Sequence, residues 1–175
     1  YFPAPSVAFK ASGTIAFQSH CIFDVGSFIH VTAGSITFNG GVTAEITQIL
    51  NLESGVTVTL SPTRNVVSYA EWYGAVPDDV LVDCTAAINL SLQQVMKTQL
   101  LMGTYYHAST IVHNKTGAHL HGAPSGTFQS HLSILSITSS SATQFTVTVN
   151  GEVANLRCRR YVAPLRSSLC IGILV

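Results

Sequence analysis

The stretch AEWYGAVPDDVLVDCTAAIN, residues 70–89, is where the sequence breaks from an otherwise uniform β pattern. It carries Glu71, Asp78, Asp79 and Asp83, half of the 8 acidic residues in the chain, and the only tryptophan, Trp72, beside Tyr73. Two readings of the carboxylates are open. In one, Asp78, Asp79 and Asp83 supply an acid/base pair that flanks a glycosidic bond. In the other, Asp83 caps a helix and Asp78 and Asp79 build the tight turn into it. Short acceptors there satisfy orphan N–H donors and complement the helix dipole. The structural reading is preferred.

The helix itself is expected over residues 84–98. Ile88, Leu92, Val95 and Met96 fall at i, i+4, i+7 and i+8 and make one apolar face. Asp83 stands at the N-cap position and Thr85 can share the role, while Gly103 closes the segment before β character returns. This is the one long helix expected in the chain.

On either side the sequence consists of short β runs. Upstream are VAFKA, TIAFQSHCIF, FIHVTA, SITFNG, AEITQIL and GVTVTLS; downstream are TYYHASTIVH, AHLHGA, HLSILSITSS and TQFTVTVNG. Every second residue is apolar in SITFNG and VTVTL. Turn residues recur about every 8–15 positions, the rhythm of stacked short strands rather than βαβ units. Residues 1–6, YFPAPS, read as an extended arm or linker, residues 7–69 as a β-rich neck module, and residues 70–175 as a second region. The expected fold class is all-β with a single helix.

Composition supports an ordered, associating chain. Of 175 residues, 47% are hydrophobic and only 9% charged, with no net formal charge. Such a surface favours an oligomer or a place in a larger assembly. All acids lie in residues 1–152, whereas residues 153–175 carry Arg157, Arg159, Arg160 and Arg166 and no acid. Those arginines lack aromatic interleaving and any nucleic-acid motif, so no nucleic-acid partner is expected. Cys21, Cys84, Cys158 and Cys170 form no CxxC pair and are expected to be buried free thiols. No membrane span or leader is expected, and a chain that starts at Tyr1 suggests a processed protein or a piece of a longer one.

Four short motifs in order carry a resemblance. They are Glu71-Trp72-Tyr73-Gly74-Ala75, Asp83-Cys84-Thr85-Ala86-Ala87-Ile88, Gly103-Thr104-Tyr105 and Leu120-His121-Gly122-Ala123. Their order and spacing resemble the entry to the pectate-lyase-like right-handed parallel β-helix of bacteriophage tailspikes and depolymerases. That family shows E-W-[FY]-G-A, D-G-x-x-D-[DC]-T-x-A-I, a helix, G-T-Y and L-x-G-x. Here Asp78-Asp79 replaces Asp-Gly, Val82 is an extra residue, and Met102 replaces a proline. The preceding segment is similar to the β-rich part that phage members place upstream. After Asn150 the likeness ends, and residues 151–175 are left unplaced.

The resemblance implies a neck module, a helix lidding the stack, and the first rungs of a right-handed parallel β-helix. It also implies that Glu71, Trp72, Gly74, Asp78, Asp83, Thr85, Gly103, Tyr105 and Gly122 are structural, with any polysaccharide-cutting residues on later rungs. Trp72 and Tyr73 are candidate carbohydrate contacts, although a lone tryptophan more often packs in a core. His119 and His121 share a strand face. Across a threefold axis they could offer six imidazoles to a metal, but a polar outer face is the preferred reading; no cofactor is expected. The implied function is attachment: part of a homotrimeric phage tailspike or tail fibre in the virion, made in the host cytoplasm. It would join other tail or baseplate proteins to a β-helix that binds host surface polysaccharide. The alternative is a fragment of a β-helix polysaccharide lyase or glycoside hydrolase, inactive as this piece alone.

Overall fold

The computed structural model describes residues 1, 9–95, 97–123, 133–138, 145–147 and 152–160. These residues wind into a parallel β-solenoid of about 6 turns. The first turn holds β1 (Phe9–Phe17) and β2 (Cys21–Phe23), and the second holds β3 (Ile29–Phe38) and β4 (Val42–Ala44). The third holds β5 (Leu50–Leu52) and β6 (Thr57–Leu60). The fourth contains β7 (Ser68–Tyr69), a 3-10 turn (Ala70–Tyr73) and the helix α1 (Thr85–Gln94). The fifth contains β8 (Lys97–Gln99), β9 (Gly103–His107) and β10 (Ile111–His113). The sixth contains β11 (His119–His121), β12 (Ser133–Ile137) and β13 (Phe145–Val147); β14 (Glu152–Ala154) and β15 (Leu156–Arg160) follow.

Every described ladder is parallel. β3 lies between β1 and the pair β5 and β6; β2 pairs with β4. Farther along, β7, β8, β11 and β14 form one sheet, β9, β12 and β15 another, and β10 pairs with β13. The segment expected as a neck is thus itself wound in parallel turns. Residues 152–160, unplaced by sequence, continue the sheets through β14 and β15.

Alternation sets the core. Ile36 and Phe38 of β3 stack over Val58 and Leu60 of β6 in register, all buried, while Thr57 and Thr59 between them are exposed. Phe17 lies on Phe38 with ring centroids 5.2 Å apart. Ile29 and Leu50 join them in the same turns, and Ile88, Leu100, Ile111, Leu120 and Leu135 extend the apolar cluster through the later turns. Each such side chain contributes roughly 1.5–3 kcal/mol on burial.

The helix is shorter than the expected 84–98. Val95 is already extended (φ −127, ψ 179) and Lys97–Gln99 is a strand, because pairing with β7 and β11 outcompetes helix continuation there. Ile88, Leu92 and Val95 are buried as the periodicity requires; Met96 lies outside the described residues. The helix covers the core, but it does so between turns rather than at the end of the stack. Gln94 Oε1 accepts from the Leu60 amide of the turn before. Asn89 bonds Val112 and Thr110 of the turn after. Inside, a chain of hydroxyls runs from Tyr73 through Ser68 and Ser91 to Thr98, all buried, so these polar atoms satisfy one another.

Leu92 is 2% exposed beneath this helix. Replacing Leu92 by Ala should cost about 2–5 kcal/mol in denaturant unfolding, and Leu92→Asp should leave the chain unfolded or aggregated. An unchanged midpoint in the Ala variant would show that the helix is not holding the core.

Candidate functional site

The acidic stretch lies against the fifth turn, and its side chains do what a strand would otherwise do. The fourth turn has no strand alongside β9 or β10. Thr104, Tyr106, Ala108, Thr110 and Val112 therefore meet loop and helix where a ladder would run. Glu71 Oε1 accepts from the Leu101 amide at 2.9 Å. Asp78 exchanges two bonds with Thr104: its Oδ1 accepts the Thr104 amide at 2.8 Å, and its own amide donates to the Thr104 carbonyl at 2.7 Å. The Cys84 amide donates to the Tyr106 carbonyl, and Asp83 Oδ1 accepts from Ala108. Asn89, one helical turn on, completes the series at Val112 and Thr110.

Local geometry supports each contact. Gly74 closes the 3-10 turn, its amide donating to the Ala70 and Glu71 carbonyls. Asp78 sits at φ 63, turned back toward β9. Gly103 is needed at that crossing, since a Cβ there would lie 2.7 Å from Pro77 Cβ and 2.9 Å from Asp78 Oδ2. Gly122 is needed for a similar reason: a Cβ would lie 2.0 Å from the Asn155 carbonyl oxygen. Asp79 Oδ1 only closes its own turn on the Leu81 amide. Asp83 does not occupy the N-cap. Cys84 does, without a side-chain cap, and Asp83 acts from one residue earlier on the Thr85 amide and hydroxyl.

Glu71 is the buried member of the group. The Tyr105 hydroxyl also donates to Oε1, while Oε2 is buried with no partner. Burial pushes its carboxyl above the ordinary glutamate value, against the pull of the Tyr105 hydroxyl and the Leu101 amide. Burial, with the Glu71 charge alongside, likewise raises the Tyr105 phenol. For Asp83, burial pushes the carboxyl upward too. The Thr85 hydroxyl, the Thr85 and Ala108 amides and the His107 charge outweigh it, so the group sits below the ordinary value. Cys84 is a buried free thiol, raised by burial to about 11, and Cys21 is also free and buried.

Trp72 and Tyr73 are not surface residues. Trp72 is 3% exposed, and Tyr73 has its hydroxyl in the buried Ser68 chain. His119 and His121 share a face of β11, half-buried, with rings 5.9 Å apart. In register, His119 lies between Lys97 and Glu152, and His121 between Gln99 and Ala154. Among the described residues no three His, Cys, Asp or Glu side chains converge to hold a metal, and no helix is long and apolar enough to cross a membrane.

A surface feature that sequence reasoning missed lies on the flank of turns two to four. It is a cleft of about 310 Å³ where Val42, Thr43, Arg64, Val67, Tyr69 and Trp72 meet. Tyr69 is its half-buried aromatic wall, lying on Trp72 with centroids 5.2 Å apart at 57°. Two bonds hold the frame. Trp72 Nε1 donates to the Glu45 carbonyl at 3.1 Å. The buried Asn65 accepts the Val42 amide and donates to the Gly40 and Ser61 carbonyls. The Thr43 hydroxyl is bonded to His20. Arg64 is the charged residue of the lining, exposed and without an ion-pair partner among the described residues. The position of Tyr69, two residues before Glu71 of the Glu-Trp-Tyr motif, was the only available sequence signal. Compared with known family models, curated proteins and solved structures, the chain matches none of them.

Linkage gives Glu71 and Asp83 opposite signatures. Below the unfolded glutamate value of about 4.3, protonated Glu71 contributes its full share, and that share is lost as pH rises through its raised folded value. The Asp83 share is present above the ordinary aspartate value and is lost as pH falls through its lowered one. Denaturant unfolding across this range should therefore show a component that fades with rising pH in the parent protein and is absent in Glu71→Gln. Superimposable pH profiles would refute it.

Proposed function

We propose that this chain is an attachment segment: a rigid solenoid that holds a carbohydrate-binding cleft on its flank, within the spike or fibre of a phage tail. The observation that carries the binding part is the cleft of Tyr69, Trp72, Thr43 and Arg64. An aromatic face with aliphatic neighbours matches the C–H face of a sugar, and hydroxyl and guanidinium groups match its polar edge. The parallel β-solenoid fold is compatible with polysaccharide-binding and depolymerase proteins. Binding is favoured over cleavage for this segment, because Glu71, Asp78, Asp79 and Asp83 each accept a main-chain N–H rather than facing one another across a groove.

The tail setting rests on the motif resemblance. It is supported by the need for partners that the surface composition creates. Val76, Val80, Leu81 and Met102 are exposed large apolar side chains on segment 76–81 and on the residue preceding Gly103, which closely approaches Pro77. Leu81 is 92% exposed. A second and third copy of the chain is the occupant that suits such a corner, giving the homotrimer of a spike, with other tail proteins at its ends.

Two measurements test these readings. Mass photometry should return a trimer that Leu81→Asp shifts toward monomer; a stable monomer in the parent protein removes the spike assignment. In a panel of bacterial surface polysaccharides, the protein should retain at least one without releasing new reducing ends. Tyr69→Ala should weaken that retention roughly tenfold, the order of one lost stacking contact with its buried area. Retention of none removes the attachment reading, and new reducing ends would favour the depolymerase instead.

A further inference from the structure

We infer that the cleft on turns two to four is selective for an acidic saccharide unit, with the carboxylate of a uronic-acid-type sugar held by Arg64. The inference rests on the carbohydrate reading of this cleft and adds the chemical class. Three observations lead to it.

First, the cleft is built rather than incidental. Its walls come from the second, third and fourth turns: β4 with Thr43, the segment after β6 with Arg64 and Asn65, and β7 with Tyr69. Asn65 is 4% exposed and uses its amide on three main-chain groups, which fixes the wall bearing Arg64 against β4. At about 310 Å³ the cleft lies at the small end of ligand pockets, roughly 300–1,000 Å³, which suits a short piece of a chain rather than a folded partner.

Second, the charge is one-sided. Arg64 is the charged residue among those lining the cleft, and it has no carboxylate partner among the described residues. The nearby Glu45 is bound to this frame through its main-chain carbonyl and is not part of the lining. Only 8 basic residues serve the whole chain. A guanidinium left unpaired beside an aromatic wall is suited to a planar carboxylate, which it can meet with two parallel hydrogen bonds.

Third, the remaining lining is suited to a sugar ring rather than to a bare anion. The Tyr69 ring is backed by Trp72, so it cannot fold inward, and Val42 and Val67 supply aliphatic surface beside it. A small inorganic anion would gain nothing from that surface. A sugar acid would use the ring, the aliphatic floor and the guanidinium together.

The test is calorimetric titration of the full chain with one oligouronate in two forms, the free acid and its methyl ester. The free acid should bind about tenfold tighter at low ionic strength, and the preference should shrink as salt screens the exposed guanidinium. Arg64→Gln should make the two forms equal while leaving the melting temperature unchanged. Arg64→Lys should restore part of the preference, since it keeps the charge and loses the fork. Tyr69→Ala should weaken both forms by a similar factor. Equal binding of acid and ester by the parent protein, an undiminished preference in Arg64→Gln, or binding of neither form would overturn the inference. Retention of a neutral polysaccharide with no preference for the acid would overturn it alone and leave the attachment reading standing. Selective binding of the free acid without retention of any bacterial polysaccharide would do the reverse.

Discussion

In a parallel stack each turn must give its neighbour a row of hydrogen-bond partners, and the rest of this structure follows from how that demand is met where no strand is available. β9 and β10 have a strand on one side only, β12 and β13. On the other side lie a 3-10 turn, a loop and a helix, from which the Asp78 and Cys84 amides reach the Thr104 and Tyr106 carbonyls. An amide shut away from water without an acceptor would cost about 1–3 kcal/mol, a penalty that bears on the buried Thr104 and the half-buried Leu101 and Val112 and not on the exposed Ala108. Glu71, Asp78, Asp83 and Asn89 supply those acceptors at Leu101, Thr104, Ala108 and Val112. Three of the four acids in the stretch, Glu71, Asp78 and Asp83, thus serve the one break in the ladder, while Asp79 closes its own turn.

That break has a compensation on the inside. A helix is wider than a strand, so its insertion changes the shape of the core. Ile88, Leu92 and Val95 fill the enlarged turn, and Ser91 ties it to Ser68 and Thr98 by hydroxyl contacts. Lys115 of the next turn reaches back to the last helical carbonyls, of Gln93 and Gln94, which no strand could satisfy. The fourth turn is therefore bonded to both neighbours by side chains instead of by a ladder.

Much of this was legible in the sequence, for local reasons. Alternation in SITFNG and VTVTL specified which side chains face inward, and burial of Ile36, Phe38, Val58 and Leu60 follows it. The helix was legible from its 3.6-residue period, but its end was not. Val95 satisfies the helical pattern and the strand entry equally well, and only pairing of β8 with strands on both sides decides between them. Residues 152–160 lacked any motif, and their place is set by register with β11 and β12, a relation between positions about 23–33 residues apart. Trp72 and Tyr73 could be read as a sugar platform or, as is commoner for a lone tryptophan, as core, and the structure buries both. Their burial comes from contacts with Glu45 and Ser68 that no local window contains.

The cleft illustrates the same limit in a way that bears on function. Thr43, Arg64 and Tyr69 are unremarkable in the linear sequence and come together because winding lays Thr43 beside residues about one turn later, Arg64 and Tyr69. The insertion in the fourth turn also determines its shape. Trp72 is brought under Tyr69 by the 3-10 turn that replaces a continuing strand, and its indole is pinned to Glu45 of the second turn. Had β7 simply continued, its side chains would have alternated in and out with no ring lying behind another. The segment that interrupts the ladder beside β9 thus also supplies the indole that backs the aromatic wall. Trp72, part of the 3-10 turn that makes the fourth turn irregular, thereby also lines the cleft on this flank of the solenoid.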